Sequence, residues 1–278
     1  MTVEVSPRSS PFEIELRLLL EAIYLRFHYD FRSYSMASLR RRVRAALDAF
    51  QCDTVSALQE KILHDTAAFP KLLQYLTVQV SDMFRDPTFF RAFRERIVPE
   101  LATYPSPRIW IAGSSSGEEV YSLAIILAEE GLLARSILYA TDINPEAITR
   151  ARDGVYASDR VAAFAQNHAA AGGKQPFERY CTAAYDHVAL DRALRDRIVF
   201  SDHSLATDSV FAEVQVVTCR NVLIYFDRVL QERAIGLFRD ALSRRGFLGL
   251  GSMESLLSTG HGASFEPFAP EDKWYRKL

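Results

Sequence analysis

A change of texture near Pro107 divides this sequence into two kinds of chain. Upstream there is no glycine between Met1 and Gly113, and apolar residues recur at three- and four-residue spacing. Phe12, Ile14, Leu18, Leu19, Ala22 and Ile23 trace one such stripe, the mark of an amphipathic helix. Ser38 stands as an N-cap ahead of Leu39, Arg40, Arg41, Arg42, Val43 and Arg44, a second helix with a strongly basic face. Thr54 and Glu60 bracket a third, and Pro70 opens a fourth at a first-turn position. An all-α domain over residues 1–90 is expected. Downstream, short apolar runs at 109–112, 137–140, 198–200, 214–218 and 247–250 alternate with helical patterns at 118–130, 145–152 and 227–244. That alternation predicts an α/β fold, a mostly parallel Rossmann-like sheet covered on both faces, over residues 91–278. Residues 154–197 break the rhythm and read as a small β insertion, and Trp274-Tyr275 reads as an added edge strand.

Composition excludes several classes. At 278 residues and 49% hydrophobic content the chain can bury a large core, and a net charge of -2 gives no whole-protein case for nucleic acid. Cys52, Cys181 and Cys219 are far apart and form no CxxC, and His28, His64, His168, His187, His203 and His261 show no ligand spacing. Neither a disulfide framework nor a metal site is expected. The N-terminal MTVEVSPRSSP lacks an apolar signal core, and no run approaches the roughly 18 apolar residues of a membrane span. A soluble, cytoplasmic protein without membrane insertion is expected.

The run "GSSSGEEVYS", residues 113–122, follows the first strand pattern and starts a helix. A strand, a small-residue loop and a helix start form a nucleotide cradle, in which a pyrophosphate usually meets the helix N-terminus. Here Glu118 and Glu119 occupy that place, where carboxylates complement the helix dipole and repel phosphates. Asp142 ends the second strand in "LYATDINPEA", either as a ribose acceptor or as a helix cap before Pro145. S-adenosylmethionine reconciles these features. It carries an adenosine but no phosphate, and its sulfonium and ammonium are cations that carboxylates attract. For Glu118 a purely helical role stands beside the ligand role; for Glu119 the ligand is favoured. A dehydrogenase is the least favoured reading, since the loop lacks a GxGxxG.

The sequence resembles the CheR family of chemotaxis receptor methyltransferases over nearly its whole length. "TVQVSDMFRDPTFF" is similar to the family's Thr-x-Phe-Phe-Arg stretch, with Ser81 in the Thr position and Met83 in the first Phe position. "GSSSGEEVYSLA" resembles its Ser-Thr-Gly-Glu-Glu-Pro-Tyr-Ser loop, "CRNVLIYF" at 219–226 its most specific signature, and "LGLGSMES" its late Gly-x-Ser-Glu element with Met253 in the Ser position. "WYRKL" resembles the closing strand. The resemblance implies cofactor contacts at Gln79, Ser81, Arg85, Glu119, Asp142, Ser204, Leu205, Arg220 and Asn221. Ser204 departs from a common Asn, whose amide would read the adenine edge, and Gln79 is a methylene longer than the Asn of some members.

The implied reaction is S-adenosylmethionine-dependent esterification of glutamate side chains on a chemoreceptor or related signalling protein, leaving S-adenosylhomocysteine. A carboxylate is already ionised at pH 7, so the site must chiefly align it with the methyl and exclude water. Arg85 and Tyr225 are the implied catalytic pair, with Arg85 orienting a carboxylate. Arg40, Arg41, Arg42 and Arg44 are either a solvated face or a docking surface for acidic receptor helices. The 179–200 stretch contains no Gly and only the short Ala-Ala-Tyr-Asp-His connection, so docking without a C-terminal receptor peptide is expected. The competing readings are a small-molecule methyltransferase and a cofactor-binding scaffold with weak turnover.

Overall fold

The computed structural model describes residues 10–256 and 259–278, and residues 1–9 of the N-terminal stretch read above lie outside them. Two compact units form. One is 1–78 with 225–230, and the other is 79–224 with 231–278.

The smaller unit is helical: α1 (Pro11–Phe27), α2 (Met36–Phe50), α3 (Val55–His64) and α4 (Ala68–Leu76). Ser10 caps α1 with Pro11 in its first turn, and Leu16, Leu19, Leu20 and Ile23 are buried. Thr54 caps α3 by accepting from Ala57 N. Helix α2 starts earlier than expected, with Ser35 at its N-cap position and Ser38 inside it. The Ser35 amide instead donates to the Tyr225 carbonyl at 2.8 Å. The unit ends at Val78 rather than near 90, because Met83, Phe84, Phe89, Phe90 and Phe93 are buried in the core of the larger unit.

The larger unit is built on β1 (Arg108–Ala112), β2 (Ile137–Asp142), β3 (Val155–Ala157), β4 (Cys181–Ala184), β5 (His187–Leu190), β6 (Ile198–Asp202), β7 (Val214–Cys219), β8 (Leu242–Leu250), β9 (Phe265–Ala269) and β10 (Trp274–Lys277). Seven of them make one sheet in the order β6-β2-β1-β7-β8-β10-β9. The strands are parallel from β6 to β8, and β10 and β9 are antiparallel. Every residue of β7 is buried, as a strand covered on both faces requires. Helices α5 (Pro87–Ala92), α6 (Val98–Leu101), α7 (Glu118–Glu129), α8 (Pro145–Asp153), α9 (Val161–Ala170) and α10 (Arg192–Arg195) belong here, and α11 (Arg228–Ala241) crosses the division in sequence. A π-helical turn, Phe93–Ile97, joins α5 to α6.

Two expectations need correction. Trp274-Tyr275 is not at the edge: β10 lies between β8 and β9, and β9 is the edge. Trp274 is buried there by stacking on Phe89 at 4.4 Å, and its indole donates to the Phe89 carbonyl. The insertion holds the three-stranded sheet β3-β5-β4 but also α9, formed by the Ala-rich stretch. No helix among the described residues is long and apolar enough to cross a membrane.

Candidate cofactor site

The loop after β1 is fixed before any ligand is considered. Gly113 turns with φ 74°, and the amides of Gly113 and Ser114 both donate to the Thr141 carbonyl, at 2.8 and 2.9 Å. A Cβ at Gly113 would stand 2.4 Å from Val222 Cγ2, so only glycine allows this approach. Asp142, the last residue of β2, is buried and ties the loop down. Its Oδ2 accepts from Ser115 N and its Oδ1 from Asn144 N, each at 2.9 Å. Asp142 is therefore not the cap of α8; Asn144 is, accepting from Glu146 N at 3.0 Å. Burial pushes the Asp142 carboxyl above its ordinary value against the backbone amides that favour its charged form. A carboxylate accepts about four hydrogen bonds, so capacity for a ligand hydroxyl remains.

The two acids at the start of α7 have different surroundings. Glu118 is buried, pairs with Arg160 Nη1 at 2.8 Å and accepts from Ser116 Oγ at 2.7 Å. Arg160 also donates to the Ser81 carbonyl and pairs with Asp82 at 2.9 Å, so Glu118 and Arg160 join three segments of the unit. Glu119 accepts from Arg220 Nη1 through Oε2 at 3.3 Å, while its Oε1 is buried without a partner. A buried acceptor left unmade is costly, and a donor-rich ligand would satisfy it.

Arg220 joins Glu119 to the segment around Arg85. Its Nη2 donates to the Arg85 carbonyl and to Asp86 Oδ2, both at 2.8 Å, and its guanidinium carbon lies 4.1 Å from the Phe89 ring centroid. With the Arg220 side chain 2% exposed, Arg220 is a brace for Glu119 and for the Arg85 backbone rather than an open cation. Arg85 is exposed, and its neighbours Phe84 and Asp86 both have left-handed backbone, at φ 51° and 58°. Two such non-glycine residues are a strained presentation, held by Phe84 N donating to Ser122 Oγ at 2.8 Å and by the Asp86–Arg220 pair.

The remaining expected residues are placed as follows. Gln79 Oε1 accepts from Ser115 Oγ at 3.1 Å, which brings Gln79 to the loop. Ser204 follows β6 and its Oγ accepts from Ala206 N at 3.3 Å, so its hydroxyl serves its own turn. Leu205 is buried and its carbonyl accepts from Arg233 Nε at 3.2 Å. Asn221 has φ 60° and donates its amide to Glu254 Oε2 at 3.1 Å. Within the helical unit, Tyr225 lies under Arg42, whose guanidinium carbon is 4.5 Å from the ring centroid. Arg42 is buried and donates to the Leu76 carbonyl, so it does not belong to an exposed docking face. Arg40 pairs with Glu13 at 2.5 Å, and Arg41 and Arg44 are exposed. Asp86, Arg160 and Glu254 were not singled out from sequence. Asp86 lies in "TVQVSDMFRDPTFF" and Glu254 in "LGLGSMES", whereas Arg160 lies in neither stretch.

The residues present fit S-adenosylmethionine. The cradle carries carboxylates at Glu118, Glu119 and Asp142, and the buried, unpartnered Oε1 of Glu119 asks for a cationic or N–H donor. A Rossmann-like sheet with this loop defines a methyltransferase dependent on S-adenosylmethionine. Residues 79–268 match the family described as CheR methyltransferase, SAM binding domain, and residues 14–77 its all-alpha domain. The Cher3 protein of Pseudomonas putida KT2440 is 56% identical over 95% of this chain and 97% of its own length. The chemotaxis protein methyltransferase of Salmonella typhimurium LT2 is 30% identical, over 84% of this chain and 76% of its own. That of Listeria innocua is 26% identical, over 82% and 85%. The chain belongs to the CheR methyltransferase family.

Proposed function

We propose that the protein methylates glutamate side chains of a chemoreceptor, or of a related signalling protein, as the name of the Salmonella relative suggests for chemotaxis. The observation that carries this reading is Arg85: its carbonyl is held by the buried Arg220 while the residue itself is exposed. An exposed arginine on a braced backbone suits an anionic acceptor, which it can orient by a two-pronged hydrogen bond. S-adenosylmethionine, when bound, supplies an electrophilic methyl on a sulfonium. Glu119 would hold the cofactor's cationic end through its unpartnered oxygen, and Asp142 would add a ribose contact to its backbone bonds. Gln79, Ser81, Ser204, Leu205 and Asn221 complete the proposed cofactor contacts. Tyr225 is proposed to act in turnover rather than in cofactor affinity.

For docking we propose Arg41 and Arg44, the two exposed arginines of α2. One observation favours a second surface. Strand β4 is an edge of its sheet, with Thr182, Ala183 and Ala184 exposed and small, so backbone approach is open even without glycine. The test is transfer of labelled methyl from S-adenosylmethionine to purified receptor cytoplasmic fragments, with recovery of base-labile label. Absence of label on receptor carboxylates would remove this reading. Efficient methylation of a free small carboxylic acid would replace it with the small-molecule one.

A further inference from the structure

One buried carboxylate outside the proposed cofactor contacts gathers four backbone amides. Glu254 is 4% exposed and lies in the turn after β8. Its Oε1 accepts from Val222 N at 2.9 Å and Leu223 N at 2.8 Å. Its Oε2 accepts from Asn221 N at 3.1 Å and Gly251 N at 2.6 Å. Three of the four donors are consecutive residues of the loop that follows β7. That loop begins beside Arg220, whose guanidinium holds Glu119 and the Arg85 carbonyl. It also carries Val222, which covers Gly113 so closely that a Cβ there would be 2.4 Å away. Asn221 is left-handed at φ 60°, a backbone asparagine adopts more readily than most residues, and its amide is held there by Glu254.

From this geometry we infer that Glu254 is a positioning residue for methyl transfer, setting the 220–223 loop and through it both Arg220 and the Gly113 loop. Successive amides aimed at one anion form a nest, here built around a side chain of the same chain. A carboxylate suits the place and an amide does not. All four donors need acceptors, and a glutamine would offer one acceptor oxygen and present N–H groups to the others. Gly251 is part of the same device. A Cβ at 251 would stand 2.8 Å from Asn221 N and 2.8 Å from Glu254 Oε2, so the turn closes only on glycine.

The inference deepens the cofactor site proposed above and rests on it. Calorimetric binding of S-adenosylhomocysteine to the unaltered chain tests that site by itself. Amide exchange at residues 221–223 and 251 tests the clamp whether or not the cofactor binds. In Glu254→Gln, exchange at those amides should accelerate selectively, and S-adenosylhomocysteine affinity should fall about tenfold. Glu254→Asp, which keeps the charge on a shorter arm, should recover part of the loss. Leu101→Ala, a core truncation outside the site, separates loss of stability from loss of position: it should lower the melting temperature with affinity unchanged. If Glu254→Gln does not fold, Gly251→Ala decides, since it crowds the clamp with the carboxylate retained and should also weaken binding. Unchanged affinity in a folded Glu254→Gln, or in Gly251→Ala, overturns the inference. So does an equal loss in Leu101→Ala.

Discussion

Arg42 and Tyr225 are stacked within the helical unit, guanidinium carbon 4.5 Å from ring centroid, with Arg42 Nη1 on the Leu76 carbonyl. A basic residue that reads as part of a solvated helix face thus supports an aromatic residue 183 positions away in the signature "CRNVLIYF". Burial pulls the Arg42 pKa below its ordinary value, which the nearby Tyr225 opposes. Arg42→Ala removes a charged hydrogen bond and a cation–π contact, and should cost about 2 kcal/mol. Arg41→Ala, at an exposed position, should stay within about 0.5 kcal/mol. Urea unfolding checks both, and a fully stable Arg42→Ala would show that the stack contributes nothing.

Glu119 and Arg220 give a prediction about affinity. Glu119→Gln keeps the shape of the side chain but removes the charge that Arg220 and a cationic ligand share. S-adenosylhomocysteine binding should weaken by about 1–3 kcal/mol, the scale of hydrogen bonds to charged groups. NAD should not bind to the unaltered chain, because the start of α7, where a pyrophosphate would sit, carries Glu119 with one oxygen unpartnered. Calorimetry decides both, and tighter binding of NAD than of S-adenosylhomocysteine would contradict this account of the loop.

Glu129 should contribute to stability in acid. Burial alone would raise its carboxyl, but the His168 ring 3.2 Å away and hydrogen bonds from Arg94 and Tyr180 outweigh burial and bring it down from 4.5 to about 2. Its side chain is 1% exposed, against Arg94. A depressed folded-state value means that the unfolded chain takes up the proton first. The stabilisation is complete above the unfolded value and is lost as pH falls from about 4.5 toward 2, to a total of about 3 kcal/mol. Glu129→Gln should flatten this part of the stability–pH curve. It should also weaken the protein near pH 7, because Arg94 loses a buried partner. An unchanged acid limb in the variant would assign the effect elsewhere.

The sequence made the architecture legible where periodicity is strong. The helix over Phe12 to Ile23, the buried strand at 109–112 and the acids at 118 and 119 each translate directly into an element or a charge, although within that helix Ile14 and Leu18 are exposed and Leu16 and Leu20 take their place in the core. It hid what depends on long-range pairing. Trp274 is buried by Phe89, which nothing local to "WYRKL" announces, so β10 reads as an edge. Asp142 showed two local roles, ribose acceptor and helix cap, whereas its carboxylate binds the amide of Ser115 on another strand's loop. Arg42 lies three residues after Leu39 and four before Ala46, on the apolar stripe of α2, and Arg41 does not; that spacing separates the two, but a run of three arginines reads first as one basic face. Glu254 sat in a noticed motif, but its role needs the 221–223 amides, brought from the loop after the neighbouring strand β7.

Arg85 and Tyr225 should separate chemistry from binding. Arg85 is exposed, so Arg85→Ala should leave melting unchanged within about 0.5 kcal/mol while reducing methyl transfer. Tyr225→Phe keeps the ring on Arg42 and removes only the hydroxyl, so it should fold, bind S-adenosylhomocysteine and turn over more slowly. Steady-state rates alongside calorimetry check this. Wild-type rates in both variants would move the reacting centre away from these residues.

Docking is the last relationship the fold makes testable, and it separates two surfaces. Arg41 and Arg44 are exposed on α2, while Arg40 is engaged by Glu13 and Arg42 is buried. Attraction between those exposed arginines and acidic receptor helices is screened over about 8 Å at physiological salt, so methylation should fall as salt rises. Reversal of Arg41 and Arg44 to Glu should abolish receptor methylation and leave S-adenosylhomocysteine affinity intact. The alternative surface, the open β4 edge, works through backbone hydrogen bonds and predicts weak salt dependence. There the receptor's C-terminal peptide would bind alone, and Ala183→Pro, which removes an amide from β4, would impair methylation. Full activity in the charge-reversed variant, together with peptide binding, would transfer docking from α2 to the insertion.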